Sequence, residues 1–502
     1  MKLHIDPDRL FPSDTATRDI ARGLYRSVVD LPIVSPHGHV DPRLLVEDRP
    51  FPDPADLFIR SDHYVTRLLH ADGLTLGELG LPEVASSEAQ GGTSSAALPG
   101  TPPAALPGTP PAASPADPSP ARPAPREVWR RFCERWNLFA GTASGFWLQN
   151  TFADLFGIDE HPDAHNADQI FDQIQKRLDS DEFRPRALFD RFGIEVLTTT
   201  DDPLDDLSPH AALAADPSFA GRVLPTFRPD AYLNPLATGW AERVAALAEW
   251  NGTPQADFAG YLEALAGRRR YFIEHGAVSA DHGVFQPTTA DLTESEAARL
   301  FDRGLAGTLS ATDAAVFSAH MLYQMARMSV DDGLVMTVHP GVLRNHDSGT
   351  FARFGADTGH DIPVRTNYVE ALRPLLESFG NAPGFHLVLF TVDETSFSRE
   401  LAPLAGYYPS VYVGAPWWFL DAPDAVGRFR AAVTETAGFY RGSGFIDDTR
   451  AFLSIPARHD MSRRLDAAYL ARLVREGRIE LAQAETIAVD LVVTQPRKVF
   501  KL

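Results

Sequence analysis

Cysteine is nearly absent: Cys133 is the single one in 502 residues, so no disulfide can form within the chain, and a reducing compartment suits it. Long hydrophobic runs are missing too. No stretch of 18 apolar residues occurs, and the opening Met-Lys-Leu-His-Ile-Asp-Pro-Asp has no apolar core of a signal peptide. A soluble, cytoplasmic protein is expected. Positive charge is scarce, with 46 Lys and Arg against 67 Asp and Glu and a formal charge of −21, which repels polyanions. Neither nucleic acid nor membrane is therefore an expected partner. A glycine-rich dinucleotide fingerprint is also lacking after the first strand-like run, which counts against an open doubly wound sheet.

What is present is unevenly spread. At 84–126, Ala, Pro, Ser, Gly and Thr displace nearly everything else, and Ala-Leu-Pro-Gly-Thr-Pro-Pro-Ala at 97–104 repeats at once at 105–112. So few large apolar side chains cannot offset the entropy of ordering, so a disordered surface insertion is expected, born of tandem duplication rather than serving as a docking ligand.

Elsewhere short β-branched runs alternate with helical patterns, as in successive βα units. Eight runs end in polar or glycine-containing clusters: 31–39, 194–202, 223–229, 277–283, 334–341, 386–394, 411–417 and 445–452. Helical stretches fall at 257–275, 294–328, 368–379 and 422–440. The fold expected is α/β, a (β/α)8 TIM-like barrel. Residues 1–41 would supply an N-terminal segment and the first strand. Residues 42–190 exceed an ordinary loop and read as a helical elaboration over the barrel mouth, and 191–502 complete the barrel and its C-terminal helices.

In such a barrel the C-terminal strand ends converge on one mouth. The first run ends Ser-Pro-His37-Gly-His39, and alternate residues of a strand point the same way, so both imidazoles can face one cation. Neutral imidazoles suit zinc, manganese or iron, and Asp448 at the end of the eighth run offers a carboxylate. The alternative is a turn with two solvated histidines. Arg228, Arg344 and Arg450, also at strand ends, can bind a carboxylate through paired hydrogen bonds, a local basic pocket inside an acidic shell. Their alternative is structural pairing with Asp201, Asp202 or Asp230. Asp281 and His282 end the fourth run, His339 the fifth, and Trp417 and Trp418 either line a sugar pocket or pack in the wall.

The runs Thr-Thr-Asp-Asp-Pro-Leu-Asp-Asp-Leu (199–207), Val-Leu-Pro-Thr-Phe-Arg-Pro-Asp (223–230), Trp-Trp-Phe (417–419) and Asp-Asp-Thr-Arg-Ala-Phe-Leu-Ser (447–454), followed by Arg458-His459 and Arg463-Arg464, resemble the uronate (glucuronate) isomerase family. That family belongs to the amidohydrolase superfamily of metal-dependent barrels. The resemblance spans nearly the whole chain except the insertion. It implies interconversion of glucuronate with fructuronate and of galacturonate with tagaturonate, in hexuronate catabolism. It implies a divalent metal, zinc first and manganese or iron next, on His37, His39 and Asp448. It further implies contributions from Asp62-His63-Tyr64 and contact of Arg228, His339 and Arg450 with substrate, His339 being alternatively a further metal ligand. The catalytic group expected is thus Asp448, Arg450, His339, Tyr64 and His63, and the substrate-binding group Arg228, Arg344, Asp281, His282 and Trp417. Partners expected are a small hexuronate and, left open, further copies of the chain in a homo-oligomer. Departures from the family are Asp447 where threonine is usual and Pro340 after His339. The rival readings are a hydrolase or decarboxylase on the same barrel, disfavoured because the sixth run ends Val392-Asp393-Glu394 without a second histidine pair, and a catalytically silent sugar-acid binder.

Overall fold

The computed structural model describes residues 2–3, 5–84, 122–252 and 257–502. The disorder expected at 84–126 therefore falls largely outside the described residues. Nine strands are described: β1 (Ile33–Ser35), β2 (Ile194–Thr198), β3 (Arg222–Leu224), β4 (Ser279–Val284), β5 (Val335–Pro340), β6 (Val342–Leu343), β7 (Ile362–Pro363), β8 (Leu387–Leu389) and β9 (Val411–Val413). β1, β2 and β3 pair in parallel, as do β4, β5, β8 and β9.

Isolated contacts join these two sheets into a ring. A parallel bridge between Phe227 and Ala280 links the end of β3 to β4, and another between Val413 and Gly442 carries β9 to the segment that follows it. That segment returns to the start, because His39 N donates to the Thr449 carbonyl at 3.0 Å. Eight positions close a (β/α)8-type barrel, but the eighth, 445–452, forms no regular strand. The reason is visible at Asp448, whose φ of 41° is left-handed and cannot continue a ladder.

Burial explains the strand composition. All six residues of β5, Val-Met-Thr-Val-His-Pro, are buried, as a parallel strand covered on both faces requires. The main core lies between these strands and the surrounding helices, such as Phe258–Glu274 and Ala311–Asp332. The helical pattern at 294–328 is two helices, Glu294–Leu305 and Ala311–Asp332, because Gly307 at φ +65° breaks the run and Ser310 caps the second through Asp313 N. The pattern at 368–379 becomes helical only at Arg373, where Pro374 fits the first turn.

Between β1 and β2 the elements described are all helices, with a separate aromatic core that includes Trp129, Phe132, Phe152 and Phe156. Gly341, at φ +92°, turns the chain out of β5 into an excursion holding the antiparallel pair β6–β7. A Cβ at Gly341 would sit 2.4 Å from Thr366 Oγ1, so only glycine fits where the excursion leaves and returns.

Candidate active site

The β4–β5 register sets the inner wall. Asp281 pairs with Thr337 and Gly283 with His339, so the side chains of Asp281, Thr337 and His339 share one face. Asp281 Oδ1 accepts from Thr337 Oγ1 at 2.6 Å and lies 2.6 Å from His339 Nδ1. The carboxylate accepts a hydrogen bond from Nδ1–H, which leaves His339 Nε2, buried and without a hydrogen-bond partner among the described residues, with its lone pair free. The His339 ring stacks between Phe390 at 4.0 Å and His37 at 4.7 Å, measured between centroids.

Beside them stand the residues of the first and eighth strand positions. Asp448 Oδ1 lies 3.0 Å from His39 Nε2 and 3.4 Å from His37 Nε2. Thr200 Oγ1 donates to the Gly38 carbonyl at 3.2 Å and so accepts from His39 Nδ1 at 2.5 Å, which leaves Nε2 as the ligand nitrogen. Burial, outweighing the pull of Asp448, lowers His39 to about 4, the neutral form a metal needs. Burial would raise Asp448, but both histidines outweigh it and hold the carboxyl well below its usual range.

Two groups of three offer ligand atoms within 4.8 Å of one another, His37 with His39 and Asp448, and His37 with Asp281 and His339. A metal ion fits this donor set on the structure's own terms. The carboxylates of Asp281 and Asp448 face three imidazoles, two nitrogens of which, His37 Nδ1 and His339 Nε2, have no hydrogen-bond partner among the described residues, and positive charge is needed where they meet.

The cavity above encloses about 1010 Å³, counted out to its mouth. Its lining contains His37, His39, His63, Tyr64, Arg228, Asp281, His339, Arg344, Trp417, Asp448 and Arg450 together, so the structure brings these expected residues into one place. His282 is the exception. It pairs with Val338 on the opposite face of β4, is fully buried, and has its Nδ1 2.9 Å from the Thr337 carbonyl. It does not line the cavity, because side chains alternate along a strand and Asp281 holds the inward position.

The elaboration supplies a wall by helix capping. Asp62 accepts from the backbone N–H of Tyr64 and of Val65, starting the helix His63–Ala71 so that His63 and Tyr64 project from its first turn. Their rings stack at 4.6 Å, and burial first, with Arg450 next, lowers His63 to about 3, so it is neutral. Arg458, buried in the helix Ile455–Arg475, pairs with Asp421 at 2.8 Å and lies 3.6 Å over the Trp147 ring.

Each strand-end arginine has an acidic neighbour. Arg228 Nε lies 3.0 Å from Asp230 Oδ2 and 3.5 Å from Asp281 Oδ2, so pairing with Asp230 is real for this one. Asp201 and Asp202 are not arginine partners there: the first accepts from Thr199 Oγ1 at 2.7 Å and the second from the Tyr232 hydroxyl at 2.7 Å. Arg344 meets Asp361 at 2.9 Å and lies 4.5 Å over the Trp418 ring, and Arg450 meets Asp357 at 3.3 Å. Burial would raise Asp357, but Arg450, Arg344 and His63 outweigh it and hold it at about 2.

Residues with no assigned role in the sequence also line the cavity, chiefly Asp357, Asp361 and Arg458. Their shared signal is weak: two sit in the excursion after β5 and one in a helix after the last strand position. A backbone signal is stronger. Of the eight non-glycine residues at positive φ among the described residues, four, Asn345, Asp357, Trp418 and Asp448, line this cavity, the clustering of strain expected where side chains must be aimed.

A family model described as glucuronate isomerase matches residues 11–78 and 122–500, leaving out a stretch that contains the proline-rich repeat. The chain is 51% identical over 499 residues to a uronate isomerase of Corynebacterium efficiens, covering 99% of this chain and 98% of that one. It is 48% identical over 500 residues to a uronate isomerase of Cutibacterium acnes, covering 100% and 99%. Among solved structures, the glucuronate isomerase of Caulobacter crescentus superposes with a TM-score of 0.90 at 46% identity, over 100% of this chain and 98% of that one. The uronate isomerase of Thermotoga maritima does so at 0.85 and 27%, over 99% of each.

Proposed function

We propose how the site works in a chain that belongs to the glucuronate isomerase family. The protein is an aldose–ketose isomerase acting on hexuronates, with D-glucuronate and D-fructuronate, and D-galacturonate and D-tagaturonate, as the pairs interconverted. The observation that carries the assignment of roles is the meeting, in one cavity, of the His37, His39 and Asp448 group with Arg228 and Arg450.

Moving the carbonyl from C1 to C2 requires a proton to leave C2 and one to arrive at C1 through an enediol, while charge develops on the two oxygens. His37, His39 and Asp448 hold a divalent cation, zinc for preference given two imidazoles and one carboxylate, with manganese or iron as alternatives. When bound, that ion supplies Lewis-acid stabilisation of oxygen charge. Both histidines face Asp448 Oδ1, so Oδ2 is the oxygen that takes the C2 proton and returns it at C1. Arg450 donates to the oxygens on C1 and C2. His339, its Nδ1–H donated to Asp281, has a lone pair at Nε2 and so accepts from a hydroxyl on C1 or C2. Tyr64 and neutral His63 close the mouth against water, with Trp417 as the facing wall. Arg228 clamps the C6 carboxylate and Arg344 steadies the chain between. No described helix is long and apolar enough to cross a membrane, and we place the enzyme in the cytoplasm, where its single buried cysteine stays reduced.

The test is to assay D-glucuronate and D-galacturonate separately, with elemental analysis of the bound metal, before and after chelation. Ketose formation that chelation removes and zinc restores is the expected result. Full activity in metal-free protein would overturn the metal assignment, and no ketose from either sugar would overturn the substrate assignment.

A further inference from the structure

The ring has no ladder where it closes. The eighth position forms no regular strand, so no register fixes Asp448, and its φ of 41° is a conformation that something else must hold. The hold comes from the helix Ile455–Arg475. His459 Nε2–H donates to Asp447 Oδ2 at 3.0 Å, and Arg458 Nη1 approaches the Asp447 carbonyl at 3.5 Å. One turn further, Arg463 donates to the carbonyls of Val29, Leu31 and Pro32 at 2.7, 2.8 and 3.1 Å, at the entrance to β1. Positions four apart share a helix face, so one face grips both segments that carry the His37, His39 and Asp448 group.

Asp447 also packs on the histidine pair itself. A Cβ placed on Gly38 would lie 3.6 Å from Asp447 Oδ1 and 3.6 Å from the Thr449 carbonyl. His39 N donates to that same carbonyl, so residues 447–449 are pinned to His37-Gly38-His39 on one side and to the helix on the other. Stability alone does not account for the Asp447–His459 pair. Both side chains are buried, and Asp447 Oδ1 has no hydrogen-bond partner among the described residues, a cost that apolar side chains filling the same space would avoid. What apolar side chains would not supply is a directed tie on the residue next to Asp448.

We infer that His459, acting through Asp447, is a positioning residue for the isomerase reaction: it sets the aim of the Asp448 carboxylate, and so of the cation that Asp448 and the two histidines hold. The inference rests on the reading above, in which Asp448 binds the cation through Oδ1 and moves the proton through Oδ2.

The test uses the full chain and two matched pairs of variants. Asp447→Ala removes the acceptor, and Asp447→Asn keeps one without the charge. His459→Asn carries its amide N–H at the place of Nδ1, too short to reach, and His459→Gln carries it at the place of Nε2. Zinc dissociation constants are measured by competition with a chromophoric chelator, kcat and KM for D-glucuronate at saturating zinc, and melting temperature as the check of folding. Asp447→Ala and His459→Asn weaken zinc binding and lower kcat about 10- to 100-fold, with KM within about twofold, the scale of a lost partner behind a metal ligand. Asp447→Asn and His459→Gln stay within about threefold of the parent in zinc affinity and kcat, because the hydrogen bond is kept. Parent values in Asp447→Ala and His459→Asn overturn the inference, and so does equal loss within each pair. If Asp447→Ala does not fold, the two His459 variants decide alone, since they differ by one methylene. Failure of the parent protein to bind zinc or to isomerise any uronate would instead count against the earlier reading.

Discussion

The two ends of the cavity are built differently. The inner end consists of side chains at or just past strand ends: buried His37 and half-buried His39 after β1, Asp281 on β4, His339 on β5, and Asp448 where the ring closes. The outer end consists of Tyr64, His63, Arg344, Asp357 and Asp361, all on segments inserted between barrel elements. The barrel ladder fixes Asp281 and His339, through pairings such as Asp281 with Thr337, while His37, His39 and the left-handed Asp448 sit just beyond the paired strand residues. Caps and strained turns fix the second, such as the Asp62 cap and the left-handed Asn345 and Asp357. The residues that would hold the metal and move the proton sit on or just beyond the strands, and the walls that close the cavity sit on insertions that can vary without disturbing them.

This division can be broken at either end. Replacing His37 and His39 together with alanine abolishes the metal-binding pair, and activity falls at least about a thousandfold with loss of bound metal, read by kinetics and elemental analysis. Retained stoichiometric metal would show that Asp281 and His339 form the site instead. Arg228→Ala raises KM for uronates by about 10- to 100-fold, the loss of a charge-assisted contact, with little change for a neutral sugar. Equal loss on both substrates would deny it the carboxylate. Tyr64→Phe keeps the stacked ring and lowers kcat about tenfold at unchanged melting temperature, because only the hydroxyl is removed. The smallest effect is expected on the outward face of β4: His282→Leu leaves kcat/KM within about twofold while costing about 1 kcal/mol of stability through the lost side-chain hydrogen bond to the Thr337 carbonyl. A large kinetic loss there would contradict the inward–outward alternation.

The same division explains what was legible in the sequence. Strand alternation and the polar strand ends pointed to His37, His39, Asp281 and His339, since a period of two is written directly in the chain. It also pointed to His282, which the structure turns to the other face, because adjacent polar residues cannot share a face and the sequence does not say which one turns inward. The eighth run pointed to Asp448 and Arg450 but not to their backbone. Asp448 is left-handed, a conformation aspartate adopts more readily than most non-glycine residues but that a strand-like run does not announce. Asp357 and Asp361 were invisible because no periodicity governs an excursion, and their partners Arg450 and Arg344 are 93 and 17 residues away. Asp62 was open to a closer reading, since an aspartate directly before a helical run is a cap signal.

The central claim is that Asp448 carries the proton between C2 and C1. Proton NMR of D-glucuronate in D2O, with the metal-loaded parent enzyme and with Asp448→Asn, tests it most directly. The parent is predicted to form ketose and to place deuterium at C1 of the ketose and C2 of the recovered aldose. The variant should do neither at more than about a thousandth of that rate, the scale of a lost general base. Exchange and ketose formation by Asp448→Asn at the parent rate would contradict the claim and move the base to another residue of the cavity.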